Sequence, residues 1–299
     1  MAKKLILIFF IIYALFGITN SMFFDTPNAT NDFIYHYYTA NGDTDNPDFV
    51  EFYGDGIEAY PHLFHVLTSP FASSKLLFYL AVIFIICVIA PFLLYKVAGT
   101  FSVWIYFALS FPHMVIYNGT FASFIIIIYF LIYLLSKRKT SIFVAMTILS
   151  AFTHKYGVYF FAMIFVAEII EKIILKITWG DKWKLPKLNL GVGFLVGQRL
   201  VSINMIINVF LNHMNIYFVY IARKSRDYFL WALFLIGLVG SINFDFRIVM
   251  LSQISLCLIL GKQLEKEKPS RNFYVICILL MLLNFLSFSW QTEKFLLFS

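Results

Sequence analysis

Residues 119–139 read GTFASFIIIIYFLIYLLSKRK, an apolar run that ends in three consecutive basic residues. The stretch 119–135 has no charged side chain, and its length lies in the range of about 17–25 residues that a helix needs to cross a bilayer. Basic residues after such a run mark its cytoplasmic end. The sequence therefore predicts a transmembrane helix that reaches the cytoplasm at Lys137, Arg138 and Lys139.

The composition of the whole chain extends this prediction. The 299 residues are 61% hydrophobic and 13% charged, with a mean hydropathy of +0.82, whereas soluble domains carry about 25% charged residues. Cys87, Cys257 and Cys277 all lie in apolar runs without metal-ligand spacing, so no disulfide framework is predicted. The expected fold is all-α: a polytopic transmembrane helix bundle that forms one integral-membrane domain, residues 1–299.

Eight further apolar runs repeat the pattern, each with Lys or Arg near one end. Residues 189–222 are more polar, and we expect them either to cross twice as short or broken helices or to form a re-entrant piece. The expected total is nine to eleven spans. Pro112 predicts a kink or break within its span, because proline cannot donate the helical hydrogen bond. The eight runs are 5–21, 75–95, 99–117, 140–153, 157–175, 227–242, 248–261 and 272–290.

Residues 22–74 differ from the rest of the chain. They hold eight of the sixteen acidic residues, three of the six histidines and none of the 23 Lys and Arg. The positive-inside rule places the N-terminus in the cytoplasm and this loop outside the cell membrane. We expect it to form short interfacial helices on the outer surface. The basic residues elsewhere separate apolar runs and form no single patch, which argues against a nucleic-acid partner.

Asp32 is the first candidate for chemistry in this loop. If residues 31–40 are helical, Asp32 and His36 lie four residues apart on one face. A carboxylate there could accept a proton from an attacking hydroxyl group. The alternative is that Asp32 is a helix cap or a surface acid of the loop.

Two other stretches of the loop have spacings that suggest a metal, and neither completes a site. His62 and His65 would share a helix face, but the sequence places no third ligand; the alternative is a packed interfacial helix with hydrated imidazoles. Residues 42–48 resemble part of a calcium loop but lack the glycine and glutamate that an EF-hand requires. We therefore assign no metal ligands and predict a solvated turn at 42–48.

Four outer elements are expected to converge on one face of the membrane: loop 22–74, the Pro112–His113 segment, residues 153–155 and residues 245–247. His154, Lys155 and Arg247 could hold an anionic, lipid-linked phosphate at this face. The alternative for these cations is that they extend towards the lipid headgroups from helix ends.

With these residues placed, the chain resembles the GT-C superfamily of membrane glycosyltransferases. The run from Asp32 to His36 is similar to the first-loop signature of that family. Residues 60–65 (Tyr-Pro-His-Leu-Phe-His) are similar to the run that precedes its second span. Residues 245–247 (Asp-Phe-Arg) are similar to the start, on the outer face, of one of its late transmembrane helices. Residues 112–160 also resemble polysaccharide-polymerase relatives.

The resemblance implies roles for these residues. Asp32 would be the catalytic base, with His36 beside it, and His154, Lys155 and Arg247 would hold the donor phosphate. We assign three further residues to substrate binding. They are Tyr35, His62 and His65.

The expected activity is transfer of a sugar, with inversion, from a polyprenyl-phosphate-linked donor to a glycan, lipid or protein acceptor on the extracytoplasmic face. No cofactor is assigned, and the sequence leaves open whether the reaction requires a divalent cation. One alternative is a polysaccharide polymerase or ligase of lipid-linked glycans. The other is a transporter or lipid flippase, for which ionisable residues near the bilayer midplane and broken helices would be typical.

Overall fold

The computed structural model describes residues 2–19, 33–47, 49–50, 63–109, 111–118, 120–154, 156–178, 216–243 and 248–297. Regular structure in these ranges is helical and includes no strand, which confirms the all-α prediction. Among the described residues before 110, five helices have both ends in view: α1 (Ala2–Thr19), α2 (Phe33–Asn41), α3 (Leu63–Thr68), α4 (Lys75–Ala98) and α5 (Thr100–Ala108). A short 3₁₀ turn, Ser69–Phe71, follows α3.

Eight helices follow in the described part: α6 (Phe111–Asn118), α7 (Phe121–Leu135), α8 (Thr140–Thr153), α9 (Gly157–Thr178), α10 (Ile216–Ala222), α11 (Tyr228–Asn243), α12 (Val249–Leu264) and α13 (Arg271–Leu297). The predicted runs agree closely with these bounds. Of the uncertain stretch 189–222, only α10 lies within the described residues.

Helix α4 alone, among the described residues, has the length and apolar character needed to cross a membrane. It has 24 residues and a hydropathy of 3.0 in its most apolar window. The shorter apolar helices of the described part have 10–17 residues: Phe121–Leu135, Thr140–Thr153, Tyr228–Gly240, Val249–Leu264 and Arg271–Phe285. Helix α4 thus supports an association of the chain with a membrane.

Helix α4 contains a π-helical segment, Ile85–Ile89, which ends two residues before Pro91. Proline has no N–H, so Pro91 cannot donate to the carbonyl of Ile86 five residues earlier. The hydroxyl of Tyr106 on α5 donates to that carbonyl instead, at 2.7 Å. The carbonyl that Pro91 leaves without a backbone donor therefore receives its hydrogen bond from the neighbouring helix.

The predicted break at Pro112 is confirmed, since α5 ends at Ala108 and a separate helix follows. Pro112 has no N–H for the carbonyl of Ala108, four residues earlier. Asn284 Nδ2 on α13 donates to this carbonyl at 2.8 Å, and His113 Nε2 lies 3.3 Å from the carbonyl oxygen of Phe107. Side chains thus replace backbone donors at the broken end of α5.

Helices α7 and α12 form the centre of the core. Nearly all of their side chains are buried, whereas α1, α8, α9 and α13 expose many large apolar side chains. Close backbone approach holds α12 against its neighbours. A Cβ atom on Gly261 would lie 2.7 Å from the carbonyl oxygen of Ala98, and one on Gly237 would lie 2.8 Å from the backbone nitrogen of Ser252. Small residues at these crossings let the helices pack tightly.

The prediction of exposed interfacial helices in the first loop is wrong for α2. Seven of its nine residues are buried, including every residue from Phe33 to Tyr38. The ring of Phe33 packs 5.5 Å from Phe78 on α4 and 6.1 Å from Phe121 on α7. Aromatic residues on all sides of this short helix let it pack inside the protein and not on the outer surface, where the interfacial helices were predicted.

Candidate functional site

The candidate site lies where α2, α3 and the end of α8 meet the beginning of α7. We call this region the histidine end and define it by His36, His65, Phe121, Ser123 and His154. Segments that are far apart in the sequence supply these residues. The sequence had predicted functional roles for the three histidines.

A direct contact between two imidazoles joins α2 to α3. His36 Nδ1 and His65 Nε2 are 3.0 Å apart, and each residue is 4% exposed. An N–H···N hydrogen bond requires a proton on one of the facing nitrogens and a lone pair on the other. The imidazoles are therefore buried and paired, and the alternative of hydrated imidazoles on an interfacial helix is wrong for His65.

Aromatic rings surround this pair. The ring centroid of His36 lies 5.3 Å from that of Tyr35, 5.0 Å from that of Phe64 and 6.2 Å from that of Phe121. Tyr35 also lies 6.0 Å from His65 and is itself buried. Of the residues assigned to substrate binding, Tyr35 and His65 are thus in contact with the proposed catalytic His36.

His154 approaches the beginning of α7 from the end of α8. Its backbone is extended, with φ −157° and ψ 143°, and terminates the helix. The backbone N–H of Tyr156 donates to Nδ1 at 3.2 Å, so the neutral ring carries its proton on Nε2. Nε2 lies 3.3 Å from the hydroxyl oxygen of Ser123 and donates to it. These contacts fix both the orientation and the tautomer of a buried imidazole.

The first turn of α7 connects the His36–His65 pair to His154. Phe121 contacts His36, and Ser123, two residues later, contacts His154. The side chain of Thr120, which precedes the helix, makes no capping hydrogen bond. The beginning of a helix carries a partial positive charge and N–H groups without helical acceptors. The electrostatics of this place therefore favour an anion.

Sequence reasoning had not identified Phe121 and Ser123 as site residues. A usable signal was present, since Thr120 immediately precedes a long apolar run and such a residue is typical of a helix start. The side chains that lie against this helix start come from residues 30 or more positions away in the sequence. No local sequence pattern encodes such contacts.

His113 does not join the histidine end as predicted. The hydroxyl of Tyr13 on α1 donates to His113 Nδ1, and Nε2 faces the carbonyl of Phe107. The break after α5 turns this imidazole towards α1, so His113 belongs to a separate buried cluster with Tyr13. The remaining predicted site residues lie outside the described residues: Asp32, His62, Lys155 and Arg247.

The opposite end of the bundle, the basic end, carries the links after α4, α7, α10 and α12. Arg138 donates from Nε to Glu168 at 3.2 Å and from Nη2 to Glu171 at 2.5 Å, and its guanidinium lies 4.2 Å from the ring centre of Phe229. Tyr133 donates to the same Glu168. Burial by itself would lower the pKa of Arg138, but the hydrogen bonds and charges of the two glutamates raise it above its usual value.

No group of three or more His, Cys, Asp or Glu side chains that could hold a metal ion occurs in the part of the chain that the structure describes. The turn that resembles a calcium loop is exposed from Gly42 to Asp45. Asn46 Nδ2 donates to Asp43 there at 3.0 Å. The prediction of a solvated turn is confirmed for these residues.

Comparison of the chain with models of protein families, with curated proteins and with solved structures found no match.

Proposed function

We propose that the chain is an integral membrane protein whose helices cross the bilayer several times. The exposed surfaces of α1, α9 and α13 carry many large apolar side chains, such as Ile11, Ile169 and Leu282, as expected for helices that face lipid. Ion pairs occur at the basic end and imidazoles at the histidine end. In this proposal the basic end lies in the cytoplasm and the histidine end outside.

For its activity, we propose a glycosyltransferase that uses a polyprenyl-phosphate-linked sugar at the histidine end. The observation that carries this proposal is the convergence of His36, His65 and His154 on the beginning of α7. An uncapped helix start beside imidazoles suits a phosphate group. In the sequence, the carboxylate of Asp32 immediately precedes α2, which bears His36.

The proposed reaction needs a base and an anion site. The acceptor hydroxyl attacks the anomeric carbon and gives its proton to Asp32. The bond from that carbon to the phosphate oxygen breaks, and its electron pair leaves with the polyprenyl phosphate. Attack from the opposite face inverts the configuration. His36, with Tyr35 and His65 around it, would position the acceptor or sugar.

The donor phosphate would be held by His154 and, in the part of the site that the sequence alone assigns, by Lys155 and Arg247, with His62 as a further substrate-binding residue. The steps above need no metal. A divalent cation that accompanies the substrate would neutralise charge at the same phosphate.

The test is sugar transfer by purified protein in lipid vesicles supplied with a radiolabelled polyprenyl-phosphate sugar. Asp32→Asn should lower the transfer rate by about 10²–10⁴-fold, the usual contribution of a general base. Asp43→Asn is the matched control, because Asp43 lies in the exposed turn of the same loop. Transfer that survives in Asp32→Asn would refute the assigned base.

One observation favours a transporter as the second candidate. At the break after α5, Tyr13 donates a hydrogen bond to the buried His113, and Asn284 donates to the carbonyl of Ala108. Helix α5 has nine residues, which is about 13 Å at 1.5 Å per residue. If its start lies at the membrane boundary, the break is close to the middle of a core ~30 Å thick. A broken helix with an ionisable residue at that depth is typical of transporters.

The two candidates differ in what His113→Asn does. A transporter should lose uptake of lipid-linked sugar into sealed vesicles while binding of the substrate persists. A glycosyltransferase should keep its transfer rate per folded molecule, because His113 lies in a cluster separate from the histidine end. Vesicle uptake and sugar transfer measured on the same preparation separate these outcomes.

A further inference from the structure

The basic end presents cations of two kinds. Arg138 and Lys262 are paired with acids, Lys262 Nζ lying 2.8 Å from Asp227. Other cations are exposed in the links that follow α10 and α12. Two clusters contain them: Arg223, Lys224 and Arg226 in one, and Lys266, Lys268 and Arg271 in the other.

Two exposed cations lie over exposed aromatic rings. The guanidinium of Arg223 is 3.4 Å from the ring centre of Tyr220, and Tyr220 is 61% exposed. Lys96 Nζ is 5.4 Å from the ring centre of Phe92, which is 45% exposed. Arg223 also donates to the carbonyl of Tyr220 at 3.1 Å. A guanidinium has five N–H donors, so this bond leaves several for a ligand.

These two pairs lie on helices that meet the same part of α12. Gln263 Nε2 on α12 donates to the carbonyl of Ile221 at the end of α10. Gly261, two residues before it, approaches the backbone of Ala98 at the end of α4. The two pairs thus place exposed positive charge and exposed apolar area at the same height along the helix bundle.

Amphipathic aromatic residues occur at the same level. Trp104 lies in the first turns of α5, and its ring packs 5.4 Å from Tyr274 in the first turn of α13. Trp231, in the first turn of α11, donates from Nε1 to the carbonyl of Ser225 at 3.2 Å. Tryptophan and tyrosine are typical of the depth at which a membrane protein meets the lipid headgroups.

We propose that the basic end binds anionic phospholipids of the cytoplasmic leaflet, with Arg223 and Lys96 on the headgroup phosphates and Tyr220 and Phe92 against the upper acyl chains. This proposal rests on the membrane embedding proposed above and is independent of sugar transfer. A lipid accounts for both features, because its phosphate can bind the cation while its acyl chain covers the exposed ring beside it. Basic side chains beside a membrane are attracted to its anionic lipids.

The test uses the full-length protein in nanodiscs of phosphatidylcholine alone or with 30 mol% phosphatidylglycerol. The apparent Tm of the protein, measured at a fixed heating rate, should be higher in the anionic discs than in discs of phosphatidylcholine alone. Arg223→Gln and Lys96→Gln should each reduce that rise by about 2–4 °C. Lys75→Gln is the control, since it removes one positive charge at the other end of α4, where Lys75 lies over the ring of Tyr38. It should leave the rise intact.

A second measurement does not depend on the variants. In 1 M NaCl, where the Debye length is about 3 Å, the wild-type rise should largely disappear. Equal Tm values in both kinds of disc would overturn the proposal, as would a rise that survives the Arg223→Gln/Lys96→Gln double variant. It would also be overturned if free inorganic phosphate or RNA gave the same rise in phosphatidylcholine discs. A protein that is soluble without lipid or detergent would instead refute the membrane embedding.

Discussion

At the histidine end, His36 and His65 meet through ring nitrogens inside a wall of aromatic rings, whereas at the basic end Arg138 bridges two carboxylates. The first end therefore depends on hydrogen bonds between polar side chains that are each at most 5% exposed. The second depends on ion pairs that stay partly exposed, with 29% of the Arg138 side chain accessible. The ion pairs of the basic end thus stabilise the fold, whereas the histidine end, where we propose sugar transfer, holds buried polar groups.

The largest expected effect in stability is at Arg138. Arg138→Met should lower the free energy of unfolding by about 2–3 kcal/mol, because it leaves Glu168 and Glu171 partly buried without their cation. The apparent Tm should fall by several degrees, while sugar transfer per folded molecule stays unchanged. Loss of transfer at an unchanged Tm would reverse the roles assigned to the two ends.

The next effect concerns the imidazole pair. His36→Phe should cost about 1–3 kcal/mol, since His65 loses a buried hydrogen-bond partner. The double variant His36→Phe/His65→Phe should cost less than the sum of the two single variants, because each single variant already loses the hydrogen bond between the two rings. A double-mutant cycle of apparent unfolding free energies measures this coupling. Strict additivity would mean that the two rings do not interact.

A smaller effect is expected at Ser123. Ser123→Ala removes the acceptor of the His154 Nε2 proton and should cost about 0.5–1.5 kcal/mol. If His154 holds the donor phosphate, the KM for the lipid-linked donor should rise while the apparent Tm changes little. Ser255→Ala is the matched control, since Ser255 donates to the carbonyl of Leu251 in its own helix. An equal rise in KM for both variants would show that Ser123 has no specific role in binding the donor.

The smallest effect is expected at the exposed ion pair of the basic end. The Lys262 side chain is 43% exposed and that of Asp227 is 22% exposed, so Lys262→Met should cost only about 0.2–1 kcal/mol. High salt should abolish the difference from the wild type. A larger loss that persists in 1 M NaCl would show that packing of the lysine side chain, and not its charge, matters there.

Helix positions could be predicted from the sequence because they follow from local properties. The predicted run 140–153 coincides with α8, and 119–135 differs from α7 by two residues at its start. Proline chemistry is local too, which explains the correct prediction of the break at Pro112. The side chains that satisfy the carbonyls freed by that break could not be predicted, since Asn284 lies 176 residues from Ala108.

The candidate site was predictable only as a set of residue types on one side of the membrane. The sequence indicated His36, His65 and His154, but it also predicted that His113 would join them and that α2 would lie at the surface. Both errors concern how elements pack after they form. Pairings such as His36 with His65 depend on the path of the chain between them.

The sequence by itself determined that this chain is helical, where most of its helices begin and end, and which links carry the positive charge. Hydrophobic run length, proline and charge act over a few residues, so these features need no knowledge of the fold. Tertiary structure alone decided that α2 is buried, that Phe121 and Ser123 connect two groups of histidines, and that Arg138 bridges Glu168 and Glu171. These contacts form only when distant helices pack, because each side chain is then held by partners that its own segment does not contain.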